Sequence, residues 1–321
     1  MTRPVGNGGR PRAARIAWRR LDGVLLADKP YGASSNGFLQ TLRRLYRAEK
    51  GGHGGTLDPM ATGLMVMCFG EATKFSSWLL ESTKRYEGEI TLGQRTDTGD
   101  AEGQVTGSAE VPASLPDLAA VAAAFTGPRE QRPPMYSALK HEGRPLYEYA
   151  RQGVEVDKPA RRIVIERLSL ESIGPARLRF DVLCSTGTYV RVLAEELAAA
   201  LGTLGHLGAL RRTASGPFGI GEAASLETLE ALDEPARMAR LLETDRLPYA
   251  LAAIGLDERD AVDLRQGRTV HAAVRPAPGR YRAYAPGRRF LGVVEADAAG
   301  VIRAQRLMAT GTPASSPEKP G

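Results

Sequence analysis

The sequence predicts an α+β protein built on one mixed sheet and followed by a small C-terminal β domain. Three observations carry this. Strand-like and helix-like apolar periodicities are interleaved, they follow no strict βαβ repeat, and the composition changes near Leu247. At 321 residues the chain has room for two domains, each with its own core.

The first twenty residues hold six arginines and no acid. No apolar block follows that could serve as a secretory signal, so residues 1–20 are read as a disordered basic tail. Ser35 can cap a helix in which Phe38, Leu39, Leu42, Leu45 and Tyr46 recur at helical spacing. Its other face carries Arg43, Arg44 and Arg47, which fit phosphate contacts and a solvated face equally well. Residues 51–63, GGHGGTLDPMATG, then form a glycine-lined turn with one carboxylate, Asp58, at its tip. Gly51, Gly52, Gly54 and Gly55 let a bulky ligand approach the main chain, and Pro59 fixes the next backbone angle. Asp-Pro is also an ordinary turn starter. From Leu64 to Phe69 every residue is apolar, as in a strand buried on both faces, so the acid is anchored to a core.

Tyr86, Gly88, Ile90 and Leu92 alternate as a half-buried strand, and an acidic loop over 97–102 follows. Ser114, Leu115, Leu118, Val121 and Phe125 read as a capped helix stopped by Gly127. Leu178, Phe180, Val182 and Cys184 alternate as another strand. After a turn at 185–187, Val190, Leu193, Ala194, Leu197, Ala198 and Leu201 form a helical stripe that ends at Gly202. Beyond Leu247 the chain is rich in Arg, Gly and Pro, with short apolar stretches at 290–294 and 301–307, the pattern of short strands separated by turns. Residues 309–321 are read as a disordered tail.

Apolar content of 42% and charged content of 25% are those of a globular protein, and no run approaches the ~18 apolar residues of a membrane span. The only cysteines, Cys68 and Cys184, lie in separate apolar segments and are expected to be buried thiols in a reducing compartment. The histidines, His53, His141, His206 and His271, show no ligand spacing, so no metal site is expected. Net charge is +6 but uneven: residues 21–245 hold 25 basic against 30 acidic side chains, while 246–308 hold eleven arginines against six acids. A mildly acidic body with basic ends suits a nucleic acid held by its phosphates.

Residues 51–75, GGHGGTLDPMATGLMVMCFGEATKF, closely resemble the catalytic segment of the TruB family, the bacterial tRNA pseudouridine-55 synthases, whose eukaryotic and archaeal relatives are the dyskerin-type, RNA-guided enzymes. The resemblance continues through LLADKPYGASS (25–35), KRYEGEITLGQRTDTGDAEG (84–103), PPMYSALKHEGRPLYEYARQGVEV (133–156), CSTGTYVRVLAEELAAALG (184–202) and HLGALRRTASGPF (206–218). These blocks stand in the family's order from about residue 24 to 220. The resemblance implies a pseudouridine synthase fold over 21–245, with a mixed central sheet flanked by helices. It also implies an RNA-binding insertion at 129–156 that closes over the T-loop and a PUA-like RNA-binding domain at 246–308. The second of these rests on GRRFLGVVEADAAGVIRAQRL (287–307).

The implied activity is isomerisation of uridine to pseudouridine at position 55 in the T-loop of tRNA, on a flipped-out base and without a cofactor. A carboxylate can attack the base at C6 or assist at C1′ of the sugar, and a nearby guanidinium keeps it ionised. Asp58 matches the family's catalytic aspartate and Arg191 the arginine that pairs with it. Tyr86 matches the tyrosine that stacks on the base and takes part in proton transfer from C5. Tyr189 matches a base-contacting tyrosine, Leu210 an apolar wall of the pocket, and His53 the histidine that contacts RNA where the base is removed. Lys29 and Pro30 belong to the block that braces the active-site loop. One departure stands out: the chain has GHGG where many relatives have GHTG. The expected partner is the T-arm of tRNA, and the protein is expected to be a cytoplasmic monomer with no membrane attachment and no obligatory protein partner. Two other readings are an RNA-binding, tRNA-folding protein and a guided, dyskerin-like catalytic subunit. The intact Asp58, Tyr86 and Arg191 set argues against the first, and the bacterial-type blocks with the 129–156 insertion argue against the second.

Overall fold

The computed structural model describes residues 17–137, 140–145, 149, 152–154, 156–272 and 274–309. The basic tail expected at 1–20 therefore lies outside the described residues up to 16, as does the C-terminal tail from 310. Arg19, by contrast, is docked: its backbone pairs with Arg47 and Glu49, and its guanidinium pairs with Glu234.

The body is a ten-stranded sheet. Its strands are β1 (Gly23–Lys29), β2 (Gly51–His53), β3 (Thr62–Phe69), β4 (Lys84–Leu92), β7 (Gly127–Gln131), β10 (Arg161–Gly174), β11 (Arg177–Cys184), β12 (Gly205–Ser215), β13 (Phe218–Gly219) and β14 (Ala224–Ser225). Two short ribbons stand apart, β5 (Gln94–Thr96) with β6 (Val105–Ser108) and β8 (Lys140–His141) with β9 (Arg144–Pro145). The main order is β14-β1-β3-β12-β4-β11-β10-β7, with β2 on β3 and β13 on β12. The β1–β14 and β3–β12 pairs are parallel and the others antiparallel, so the sheet is mixed.

Strand β3 is apolar throughout because both its faces are covered. Met65, Met67 and Phe69 enter the core beneath the helices, whereas Leu64, Val66 and Cys68 enter a second core on the opposite face. Strands β4 and β11 alternate because only one of their faces is covered. Ile90, Leu178, Phe180 and Val182 point inward, while Arg85–Asp181 and Arg177–Glu89 pairs line the outer face. Such exposed pairs add only ~0–1 kcal/mol each, so they solubilise this face more than they hold it.

Helices α1 (Ser35–Tyr46), α3 (Leu118–Phe125) and α4 (Val190–Ala200) cover the first core, and the short α2 (Ser77–Leu80) lies over the second. Two caps differ from expectation. Helix α1 is capped by Ser34, whose side chain accepts from the Gly37 amide, while Ser35 is buried. Helix α3 starts at Leu118 with Asp117 as cap, because Pro116 disfavours helical angles at Leu115 and ends any earlier start. On the basic face of α1, Arg43 donates to the carbonyl of Glu49 and stacks over Trp18, and Arg47 pairs with Glu234. Both are used within the fold, and Arg44 remains exposed.

The C-terminal domain is a five-stranded sheet, β15 (Ala252–Gly255), β17 (Gly279–Ala285), β18 (Arg289–Ala296), β19 (Val301–Leu307) and β16 (Val270–His271) in that order. Between β15 and β16, Glu258–Arg265 forms a helix that supplies Ala261 and Leu264 to the domain's own core. Strand β18 also sends Val293, and beside it Phe290, into the second core of the body against Phe75, Leu79 and Leu247. Among the described residues no helix is long and apolar enough to cross a membrane.

Candidate active site

The turn carrying Asp58 connects β2 to β3, and it is held from three sides. From the loop before α1, Gly32 donates its amide to the Pro59 carbonyl at 2.9 Å. Lys29, fully buried, points its ammonium at the carbonyls of Pro30 (3.0 Å), Ala33 (2.6 Å) and Pro59 (3.1 Å). Three donors thus meet three acceptors, one of them adjacent to Asp58. From α1, the buried Ser35 hydroxyl donates to the Leu57 carbonyl at 2.7 Å and accepts from the Leu57 amide at 2.8 Å. From below, Arg212 on β12 is 2% exposed and donates to the carbonyls of Leu64 (2.7 Å), Gly55 (3.2 Å) and Thr56 (3.4 Å). Gly63 has no alternative here, since a Cβ would collide with the Arg212 backbone.

Asp58 itself is partly open, with 38% of its side chain exposed, and Arg191 Nε stands 3.0 Å from its Oδ2. Arg191 comes from the first turn of α4 and is nearly buried. Its Nη1 donates to the Thr98 carbonyl at 2.8 Å and its Nη2 to the Tyr136 carbonyl at 2.6 Å. A second carboxylate, the buried Asp100, lies 3.7 Å from the same Nε. The guanidinium is therefore fixed by the acidic loop and the 129–156 segment, and meets Asp58 as an ion pair through Nε rather than in a two-pronged hydrogen-bonded grip. The start of α4 is itself anchored: the Gln131 side chain accepts from the Tyr189 amide at 2.7 Å and donates to its carbonyl at 3.2 Å. Because β7 runs to Gln131, the 129–156 segment leaves the sheet only at Arg132. Within it, 138–139, 146–148, 150–151 and 155 lie outside the described residues.

The remaining predicted residues surround this pair at different ranges. Tyr86 on β4 pairs in register with Arg212 on β12, so the two side chains share one face of the sheet. Burial raises the Tyr86 phenol pKa, the Arg212 guanidinium beside it pulls it back, and the charge of Asp58 also reaches it. Tyr189, the residue before α4, is likewise raised by burial and also feels Asp58. Burial pushes the Lys29 ammonium down to about 8, against the opposing pull of Asp58. His53 faces Arg212 instead: burial and that guanidinium lower its pKa, and its Nδ1 is buried without a hydrogen-bond partner. Leu210 is buried on β12 and lines an adjoining cavity with Tyr31, Met60 and Thr62. Pro30 is exposed and contributes its carbonyl to Lys29.

Sequence reasoning missed Ser35, Asp100 and Arg212. Asp100 and Arg212 lie inside the quoted TDTGDAEG and HLGALRRTASGPF blocks, which was the available signal. The GHGG departure acquires a physical reason: a Cβ at Gly54 would stand 2.5 Å from Leu79 Cδ1 and 2.7 Å from its Cβ, so Leu79 fills the space a threonine would need. Among the described residues no group of three His, Cys, Asp or Glu could hold a metal ion.

Family models for the TruB family pseudouridylate synthase N-terminal domain (residues 43–190), the tRNA pseudouridylate synthase B C-terminal domain (191–247) and the pseudouridine synthase II TruB C-terminal region (252–308) match the chain in succession. It is 50% identical over 294 residues to tRNA pseudouridine synthase B of Thiobacillus denitrificans, covering 92% of this chain and 98% of that one. To the same-named protein of Burkholderia pseudomallei it is 47% identical, covering 94% of this chain and 98% of the other. Among solved structures it is similar in fold to a chain of a Cbf5-Nop10-Gar1 complex (TM-score 0.66, 23% identity, 85% of this chain and 78% of that chain). A chain of an archaeal box H/ACA sRNP Nop10-Cbf5 complex is similar to the same degree (TM-score 0.63, 21% identity, 89% and 81%). The chain belongs to the TruB family of pseudouridylate synthases.

Proposed function

We propose that this enzyme isomerises uridine to pseudouridine at position 55 in the T-loop of tRNA, using Asp58 as nucleophile on a base turned out of the stack. One observation carries the reading: a half-open carboxylate on a rigid turn, 3.0 Å from a guanidinium that is itself immobilised. A nucleophile must be ionised and reachable at once, and this pairing supports both. In the reaction the N1–C1′ bond breaks, the uracil turns, C5 joins C1′, and the proton displaced from C5 is balanced by one gained at N1. No oxidant, reductant or cofactor is needed to close that balance. Asp58 acts at C6 of the base or at C1′ of the sugar.

Tyr86 supplies a ring face to the base, and because burial raises its phenol it acts as a hydroxyl relay for the C5 proton rather than as a phenolate. Tyr189 and Leu210 complete the walls, and His53, held neutral, meets the RNA where the base leaves the stack. Extracting a base costs roughly a few kcal/mol, which contacts to backbone and shape must offset. The 129–156 segment and the C-terminal domain are the RNA-binding parts in this reading. The protein acts as a cytoplasmic monomer without a guide RNA or an obligatory protein partner, in keeping with its far higher identity to the tRNA pseudouridine synthase B proteins than to the Cbf5 chains.

The test is to incubate the purified protein alone with unmodified tRNA and map pseudouridine at single-nucleotide resolution. Modification at position 55 is expected; a different site, or none, would overturn the reading. Asp58→Asn should abolish turnover while T-arm affinity changes by less than about tenfold, because phosphates dominate affinity.

A further inference from the structure

The C-terminal sheet has two unlike faces. One buries Ala283, Leu291, Val294, Ala296 and Ile302 in the domain's own core. The other seats Val293 on the catalytic body and surrounds it with arginines: Arg282 and Arg306 stand opposite Val293 on the neighbouring strands, and Arg280 stands opposite Glu295. A register shift in β19 leaves Gln305 as the extra residue between Arg306 and Ala304. Between this face and α2 lies a cleft of about 210 Å³, lined by Ser77, Trp78 and Glu81 from the body and by Arg280, Gln305 and Arg306 from the C-terminal domain.

The positive charges in this cleft are only partly compensated. Arg268, Arg289 and Arg303 of the same domain are ion-paired, with Asp263, Glu258 and Asp297. Arg282 donates to the Leu251 carbonyl at 2.9 Å. The side chains of Arg280 and Arg306 have neither a hydrogen bond nor an ion pair among the described residues. Glu81 is the one acid lining the cleft, which leaves an excess of positive charge beside an indole. The cleft also shares a wall with the catalytic turn, because Leu79, between Trp78 and Glu81, packs on Gly54.

We propose that this interdomain cleft holds the phosphate backbone of the RNA substrate, with Arg280 and Arg306 on phosphate oxygens and Trp78 against the adjoining sugar or base. The proposal rests on the tRNA reading above. Guanidinium forks match phosphate geometry, and an aromatic face accepts a nucleotide of any sequence. The site therefore contributes affinity without choosing a base.

The experiment measures binding of the full chain to an unmodified tRNA transcript across about 50 to 200 mM salt, where counterion release sets the slope. Arg280→Ala with Arg306→Ala should flatten the slope by about 1.4–1.8, from two phosphates at roughly 0.7–0.9 each, and weaken binding by roughly tenfold or more near physiological salt. A charge-matched control, Arg289→Ala with Arg303→Ala, should keep the wild-type slope. If both double variants flatten it equally, the effect is one of general charge and the proposal fails. The pair Arg280→Lys with Arg306→Lys should regain most of the slope, since an ammonium still meets a phosphate as a point charge. If the alanine variant melts early, Glu81→Lys decides instead: it adds a positive charge to the same cleft and should tighten binding and steepen the slope, and an unchanged slope overturns the proposal. Wild-type protein that neither binds nor modifies tRNA would sink the tRNA reading itself. Wild-type binding with an unaltered alanine variant sinks only the cleft.

Discussion

Each charged residue at the site is defined by how many partners it must satisfy. Arg191 serves three partners at once, ion-pairing with Asp58 through Nε and donating to the Thr98 and Tyr136 carbonyls through its two Nη groups. Lysine cannot span them. Arg191→Lys should keep the charge yet strand at least one buried carbonyl at a cost of ~1–3 kcal/mol, so the single-turnover rate should fall by roughly ten- to a hundredfold. A lysine variant with wild-type single-turnover rates would show that the carbonyl contacts are dispensable. Lys29 gives a pH prediction. Its three donors match three carbonyls only while it is protonated, and burial lowers its pKa to about 8. Above that pH one carbonyl loses its donor, and the turn that carries Asp58 loosens. Lys84, also lowered to about 8 by burial, holds the carbonyls of Leu79, Leu80 and Ser82 in the same way. The sign for stability is opposite. Between about 8 and the unfolded value of 10.5 the unfolded chain binds more protons than the native one, so these lysines make unfolding harder as pH rises. The rate should therefore decline above about pH 8 while these two groups add stability to the fold. Rate–pH profiles beside thermal melts check this, and a rate that stays flat through pH 9 would rule it out.

At the level of elements, the turn that carries Asp58 is a product of α1 as much as of its own glycines. The Ser35 hydroxyl bonds both the amide and the carbonyl of Leu57. Ser35→Ala leaves both buried groups unpaired next to Asp58, which should cost ~1–3 kcal/mol of stability and lower kcat more than it raises KM. A KM effect alone would assign Ser35 to RNA binding instead. Ser35 also shows what the sequence left legible. Ser34 and Ser35 are both capping residue types, and only the burial of Ser35 under the turn decides that its neighbour caps. Strand β3 was readable because two covered faces demand an unbroken apolar run, and β11 because one covered face demands alternation. The Asp58–Arg191 pair was readable through the family blocks, although its approach through Nε alone was not. Asp100 and Arg212 look like ordinary surface charges in sequence. Their burial comes from the packing of a loop and a strand far apart in the chain, which no local pattern reports.

At the scale of the whole molecule, the charge distribution suggests a basic C-terminal module that could be removed cleanly, and the packing says otherwise. Phe290 packs against Phe75 in a tilted arrangement with ring centroids 5.5 Å apart, and Val293 is fully buried in the body's second core. Tyr284 donates to Asp245 at 2.8 Å and Lys74 donates to the Leu307 carbonyl at 3.1 Å. Truncation after residue 245 therefore removes Leu247 as well as β18 and uncovers Phe75 and Leu79. At ~1.5–3 kcal/mol per large apolar side chain, losing the packing of Leu247, Phe290 and Val293 should cost about 4.5–9 kcal/mol. At roughly 2–4 °C per kcal/mol for a domain of this size, the melting temperature should drop by about 9–36 °C, read by calorimetry. Because Leu79 also supports Gly54, the truncated enzyme should lose rate steeply on warming yet retain turnover when assayed well below its own melt. The two roles of the domain then separate. Truncation should lower the melting temperature and flatten the salt slope together, whereas Arg280→Ala with Arg306→Ala should flatten the slope at an unchanged melting temperature. A truncated protein that melts with the full-length chain would show that the body's second core closes without β18, and would leave the arginine face as the domain's only contribution.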